Sequence, residues 1–596
     1  MIRDLRAILG WLDGNLRLRW ALLVPIMSAA ALIEAAGAVA VFGLLRMVIE
    51  PSRVRSAPVV SQLWQAWPTD DPPAIVAVLT GIVGGLYVLR GLFLAWAEWV
   101  KETTLGISVA RAAEQLFARY LAADYLFHLK RRSSSLITEI SRATDIAFQL
   151  VVASALNILT ETATIVALLT VLAFTVPPAA LAIVAGVIAL ASVPLLVTRR
   201  AWARFGTRQK LLEEQQLHVL QQGLGGIKEV KIGSREAFFE ARFRAVRRTL
   251  ARVKQRRAWM GTAMRLVVET VLIASLLGII LLITLRGGSG ADTVSLLALF
   301  AYTGFRAVPS ANRIMLNAGY LREGRAYIAG AMRDFAALER PHVRSQGPEP
   351  VEEFTHALVC EHVGFRYSED SVAALVDIDL TLTPGESLGI VGATGSGKST
   401  LVDVLLGLLR PTGGRVLLDG ADLKGRERAW QRLVGYVPQD PYLLDETVRR
   451  NIAFGVPDAL IDEQRLARAC TLAQLDAVID QLPNGIETIL GENGTRLSGG
   501  QRQRVAIARA LYGDPAVLVF DEATAALDNQ TEREVTEAIA TLHGTRTLIV
   551  IAHRLSTVKG CDRLIFLQDG RITATGAYEQ LLRHPAFGAM ARAATL

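Results

Sequence analysis

Gly392-Ala393-Thr394-Gly395-Ser396-Gly397-Lys398-Ser399 is the stretch on which the reading of this chain turns. It fits the phosphate-loop pattern G-x-x-x-x-G-K-[ST], and the apolar run Ser387 to Val391 before it reads as a buried strand feeding the loop. Glycines at 392, 395 and 397 let backbone N–H groups curl around phosphate oxygens, and the following helix turns its N-terminus toward the anion. Lys398 is placed to neutralise the outer phosphates and the Ser399 hydroxyl to meet Mg²⁺. ATP and Mg²⁺ are therefore the expected cofactors.

Working outward, Val517-Leu518-Val519-Phe520 reads as a second buried strand that delivers Asp521 to the metal. Glu522, next along, is a carboxylate within reach of a water attacking the γ-phosphate, which it can orient and partly deprotonate. A third strand, Thr547 to Ile551, leads to His553. Leu497-Ser498-Gly499-Gly500-Gln501 opens another helix whose N-terminus suits an anion.

The first half has a different character. The chain of 596 residues is 51% hydrophobic, and most of the apolar excess lies before residue 317. Six stretches are long enough to span a bilayer: about 20–47, 74–100, 148–174, 178–197, 259–285 and 292–316. Glu34 and Arg46 punctuate the first, which is too long for a cleavable signal. The formal charge of +8 does not point to nucleic acid, because Lys and Arg crowd the ends of apolar runs. Long basic connections follow spans two and four, with Lys130, Arg131 and Arg132 in one and Arg247, Arg248 and Arg252 in the other. The opposite loops are short and nearly neutral, so both termini and the ATP-binding part are expected in the cytoplasm of a cell-membrane protein. Cys360, Cys470 and Cys561 show no metal-ligand spacing and imply no disulfide framework.

The order of these motifs resembles that of an ABC transporter, exporter-type half-transporter, with membrane and ATPase parts fused in one chain. The resemblance implies an all-α six-helix transmembrane domain (type IV exporter fold) over 1–335 and a linker over 336–354. An α/β P-loop nucleotide-binding domain with antiparallel β and helical subdomains follows over 355–596. It carries Gly392, Gly395, Ser396, Gly397, Lys398, Ser399 and Thr400 to the phosphates, Tyr367 to the adenine, and Ser399, Gln439 and Asp521 to Mg²⁺. It makes Glu522 the general base, His553 the γ-phosphate contact and Gln439 the hinge toward the membrane part. Ser498, Gly499, Gly500, Gln501 and Asp528 would act on ATP held by a second copy, so a homodimer is implied. Gly491-Glu492-Asn493-Gly494 looks like the loop by which exporters sense coupling helices, expected here near 128–135 and 223–233. Ala525 departs from the family's usual Ser.

For cargo, intramembrane charge is the best clue, since it is expensive and defaults to function. Arg90, Arg265 and Arg306 lie at similar depth and Arg313 nearer the cytoplasm, a set able to grip a polyanion unless each pairs with a carboxylate such as Glu98, Glu161 or Glu269. Val59, Val60, Leu63, Trp64 and Trp67 fall on one helical face in the first outer loop. That helix resembles a feature of the PglK-type lipid-linked oligosaccharide flippases, which implies export of a polyprenyl-pyrophosphate glycan. Another amphipathic cargo (a lipid A-like lipid, drug or peptide) is the alternative; a nucleotide-gated channel or regulator is disfavoured by Glu522 and His553.

Overall fold

The computed structural model describes residues 2–49, 72–175, 193, 196–285, 291–338, 353–523, 541–552 and 554–593. The chain forms two compact units. One comprises Met1–Ala123 and Arg131–Arg340, the other Asp124–Lys130 with Pro341–Leu596.

The first unit is helical. Its elements are α1 (Ile2–Gly10), α2 (Gly14–Ile49), α3 (Pro72–Ala122), a run closing in α5 (Ala153–Thr175), α6 (Arg199–Gly225), α7 (Ile227–Ile232), α8 (Glu236–Leu285) and α9 (Ala291–Leu338). The short α4 (Tyr125–Leu129) belongs to the second unit. At about 1.5 Å per residue, helices of 51, 50 and 48 residues are about 72–77 Å long, more than twice a bilayer core. They therefore extend well beyond any span.

Five expected spans fall on helical residues, and 178–197 lies almost wholly outside the described residues. Among the described residues, Gly14–Glu34, Ala77–Ala122 and Ser133–Thr170 are long and apolar enough to cross a membrane. The run toward α5 includes two π-helical stretches, Glu139–Ala143 and Ala147–Val152. The first break comes earlier than the sequence predicts: α3 stops at Ala122, Asp124 is extended, and α4 precedes Lys130. Gly226 and Gly233 frame the second break, as expected.

Helix α9 packs against α5, α6 and α8, and α2 against α3 and α5. Close approach between α6 and α9 depends on Gly319, where a Cβ would come 2.6 Å from the buried Trp202 ring. Charges on the helix extensions are matched: Arg257 meets Glu323 at 2.7 Å, Lys210 meets Glu139 at 2.9 Å, and Asp334 takes both Arg131 and Tyr120 at 2.6 Å. Burial raises Glu323 above the usual carboxylate range while Arg257 holds it down, so the pair fixes two helices at a desolvation cost.

The second unit builds two sheets. An antiparallel sheet runs β2 (Leu375–Leu382), β1 (Leu358–Phe365), β4 (Gly413–Leu418), β5 (Ala421–Asp422). The larger runs β10 (Arg571–Gly576), β9 (Arg563–Gln568), β3 (Ser387–Val391), β8 (Thr547–Ile551), β7 (Val517–Asp521), β6 (Val434–Val437). All its pairings are parallel except β10 on β9. Strands β3 and β8 are buried at every residue, the reason they read as continuous apolar runs. Helices Val448–Ile452 and Glu463–Leu472 share a core with the helix after the Leu-Ser-Gly-Gly-Gln run through Ile452, Leu466, Cys470 and Val505. Leu126 of α4 packs against the other core, which contains Leu401, Leu405 and Trp430.

Candidate functional site

Strand β3 ends at Val391, and the glycine loop turns from it into α10 (Lys398–Leu405). Gly395 and Gly397 hold φ of 81° and 102°, left-handed values that side chains resist. The loop is clamped from outside: Gly570 N–H donates to Ser396 O at 3.0 Å. Lys398 is buried, and its Nζ donates to Gly392 O at 2.9 Å and Ala393 O at 3.0 Å, arching over the loop. Burial lowers the ammonium's pKa, and the nearby carboxylates Glu522 and Asp521 push it back up. Ser396 Oγ is buried with no hydrogen-bond partner, while Ser399 is exposed beside it. An orphaned donor inside a ring of N–H groups beside an ammonium fits a phosphate chain.

Parallel strands bring the acids to this loop. Strand β7 lies one strand from β3 across β8 and ends at Asp521. Tyr436 of β6 donates its hydroxyl to Asp521 Oδ2 at 3.0 Å. Burial raises Asp521, partly offset by that hydrogen bond. Glu522 has φ of 49°, a strained value for a non-glycine residue, and its N–H donates to Ile551 O at 3.0 Å. Strain of this kind, held by a neighbouring strand, fixes where a carboxylate points.

Tyr367 stands edge-on to Phe365 at 5.0 Å, and its hydroxyl lies 2.9 Å from Thr400 Oγ1, so it reaches the first turn of α10. Gln439 is exposed just beyond β6, and neighbouring Pro438 O accepts from Gln503 Nε2 at 3.1 Å. Gln503 lies on α11 (Gly499–Tyr512), so the segment carrying Gln439 is tied to that helix. At the head of α11, Ser498 and Gln501 bond to each other: Ser498 N–H donates to Gln501 Oε1 at 2.9 Å and Gln501 N–H to Ser498 Oγ at 3.3 Å. The pair is a capping box, which presents Gly499 and Gly500 at a rigid helix start. His553 and Asp528 lie outside the described residues.

Two contributors escaped the sequence reading. One is Tyr436, whose only signal is its place three residues before Gln439 on an edge strand. The other is Asp403 on α10, which burial and the charge of Asp521 push up to about 6. A carboxyl raised on folding binds its proton more tightly folded than unfolded, so it removes stability as pH climbs from about 4 to about 6. Asp403→Asn should therefore melt about 1–2 °C above wild type at pH 7.5, a difference kept small by partial solvation and vanishing as pH falls to 4. Scanning calorimetry across that range reads it; a lower melting point at pH 7.5 contradicts it. Tyr125 of α4 also feels Asp403 and Tyr367, and with burial they raise its hydroxyl, which places α4 beside this face of the ATPase core. All three cysteines are buried, and burial pushes Cys360 and Cys561 up to about 12 and Cys470 to about 11, so they are inert thiols.

In the membrane unit the arginines are not equivalent. Arg90 of α3 pairs with Glu34 of α2 at 3.3 Å, and Arg313 pairs with Glu161 at 2.6 Å. Arg265 is exposed, and the side chain of Arg306 lies outside the described residues, as does the tryptophan segment 59–67. For Arg90 and Arg313, then, the structure supplies carboxylate partners in place of one shared cluster.

Two family models match: "ABC transporter" over residues 375–525 and "ABC transporter transmembrane region" over 56–306. The chain is 34% identical to the ATP-dependent lipid A-core flippase of Cupriavidus metallidurans over 507 residues, covering 84% of each. It is 31% identical to the protein of that name from Ralstonia nicotianae over 579 residues, 96% of this chain and 94% of the other. Among solved structures it matches a bacterial Atm1-family ABC exporter with ATP bound, at a TM-score of 0.77 and 27% identity, over 98% of this chain and 99% of that one.

Proposed function

Because this chain belongs to the ABC transporter family, as an exporter half-transporter with its membrane and ATPase parts in one polypeptide, we propose that it is an ATP-driven flippase for a phosphorylated glycolipid. It is a multi-pass membrane protein of the type IV exporter fold, and its ATPase drives transport. The observation carrying the cargo assignment is the 31–34% identity, over most of both chains, to proteins named lipid A-core flippases.

In this reading two copies of the chain work as a homodimer. Lys398 and the loop N–H groups hold the β- and γ-phosphates, and Tyr367 faces the base. Ser399, Gln439 and Asp521 would hold Mg²⁺, which supplies charge neutralisation at the phosphates. Tyr436 keeps Asp521 oriented, and Glu522 takes a proton from the attacking water. His553 contacts the γ-phosphate, while Ser498, Gly499, Gly500, Gln501 and Asp528 close on the nucleotide of the other copy. That closure would be relayed through the segments near 128–135 and 223–233, the coupling helices that the family resemblance implies.

A polyprenyl-pyrophosphate glycan is the second reading, favoured by the spacing of Trp64 and Trp67 in the first outer loop. Both lipids present phosphate to Arg90. ATPase stimulation in nanodiscs separates them: a bis-phosphorylated, acylated glucosamine disaccharide should activate at lower concentration than a polyprenyl-pyrophosphate glycan. The reverse order moves the assignment to the second lipid, and activation by neither removes the phosphoglycolipid reading.

A further inference from the structure

Helix α9 is gripped in the middle of a turn. In an α-helix each turn closes on itself, the N–H of one residue bonding to the C=O four residues earlier. At Ala331 and Tyr327 of α9 both groups are also bonded by side chains of other helices. Ala331 N–H donates to Glu139 Oε2 at 3.0 Å, and Tyr327 O accepts from Lys210 Nζ at 3.2 Å. Lys210 Nζ also donates to Glu139 Oε1 at 2.9 Å, so an ion pair spans one backbone turn of a third helix. Ala331 and Tyr327 are buried, and the side chains of Glu139 and Lys210 are only 6% and 16% exposed.

The sequence makes room for this grip. Gly330 lies against the carboxylate, and a Cβ there would come 2.1 Å from Glu139 Oε1. Glu139 opens the π-helical stretch Glu139–Ala143, a geometry that recurs at functional sites. The Tyr327 side chain ties the same turn a second time, its hydroxyl donating to Glu213 Oε2 at 2.8 Å. Glu213 Oε1 meets Arg142 of that π-helical stretch at 2.9 Å and Lys254 of α8 at 3.3 Å. Three stretches of chain expected to meet the ATPase unit lead to this turn. Glu139 follows the segment near 128–135, Lys210 and Glu213 lie on α6, which runs to the segment near 223–233, and α9 itself leads to the linker.

We infer that Glu139 and Lys210 are positioning residues for transport. They hold α9, α6 and the run toward α5 in one register, so that a push on any of them moves all three. Apolar packing alone resists separation but lets helices slide and turn against each other. Bonds to the backbone of α9 fix its height and its rotation against the other two. Stability alone does not call for an ion pair here, since apolar residues of similar volume often hold a buried site as well or better. What the pair adds is register, carried through contacts that are contiguous from helix to helix. The inference rests on ATP-driven transport by this chain and is independent of which lipid moves.

The test uses the full chain in sealed proteoliposomes and counts fluorescent bis-phosphorylated glycolipid moved per ATP hydrolysed. Gly330→Ala puts a good helix former into a helix interior, which ordinarily favours the helix, yet here it expels the Glu139 carboxylate. It should lower lipid moved per ATP about fivefold, within the range for residues that carry coupling, and leave basal ATP turnover unchanged. Glu139→Ala should lose as much and the double variant no more, because both break the same bonds. Glu139→Gln keeps an acceptor for Ala331 N–H and should recover most of the loss. Lys210→Met serves if Gly330→Ala fails to fold. Wild-type lipid movement per ATP in these variants, whatever their melting points, overturns the positioning role. If wild type moves no such lipid, the flippase reading falls and spin labels decide the inference. They are placed at the exposed Gln215→Cys of α6 and Ala329→Cys of α9, with labelled chain diluted in unlabelled so that each pair lies in one copy. The native cysteines are buried and stay unlabelled. Wild type should give the same single distance with and without ATP, and Gly330→Ala two different ones. One unchanged distance in both forms overturns the inference.

Discussion

Glu522→Gln is expected to lower ATP turnover by about 10²–10⁴-fold while leaving ATP binding within a few-fold of wild type. The amide is isosteric, so the backbone at φ 49° and the N–H bond to Ile551 O should survive the change. What disappears is a group able to take a proton from the attacking water. Lys398 and Asp521 keep their places, because Lys398 is held by Gly392 O and Ala393 O and Asp521 by Tyr436. Steady-state phosphate release and equilibrium binding of labelled ATP separate the two effects. Turnover above a tenth of wild type would put the base elsewhere.

Gly397→Val should cost at least 100-fold in ATP affinity and melt the ATPase unit early. Gly397 sits at φ 102°, a region closed to β-branched residues. A Cβ there would lie 2.7 Å from Ala374 O and 3.2 Å from Leu375 Cδ2, so the loop cannot yield toward its neighbour. Strain and collision together amount to roughly 3 kcal/mol or more. Relief requires the loop to leave the shape that aims its N–H groups at phosphate. Isothermal titration with a non-hydrolysed ATP analogue reads the loss, and near-normal affinity would contradict the loop geometry. Gly395→Val at φ 81°, where nothing stands within 4 Å of a Cβ, should be milder and isolates backbone strain from collision.

The ATPase half was legible for a physical reason. Parallel strands buried on both faces read as unbroken apolar runs, so Ser387–Val391 and Val517–Asp521 announced themselves, and the glycines between strand and helix announced the loop. Tyr436 did not, because its hydrogen bond to Asp521 crosses 85 residues of sequence and depends on β6 lying beside β7. The spacing of Ser498 and Gln501 suits a helix start that binds an anion, and the structure adds a capping role that the same spacing encodes. In the membrane half, length and apolarity placed the helices, but partners for intramembrane charge are not local. Arg313 found Glu161, one of the acids anticipated, whereas Arg90 found Glu34, 56 residues away in the first apolar run. The sequence puts the first break late because the basic cluster Lys130-Arg131-Arg132 marks its end and not its start at Ala123 and Asp124.

The central claim is ATP-driven movement of a phosphorylated glycolipid between leaflets, and its direct measurement is flipping in sealed proteoliposomes. A fluorescent bis-phosphorylated glycolipid is followed by loss of access to a membrane-impermeant quencher. Vesicles with outward-facing ATPase units should move the lipid to the inner leaflet on addition of ATP, and Glu522→Gln should stop it. ATP hydrolysis at full rate with no change in lipid accessibility would contradict the account.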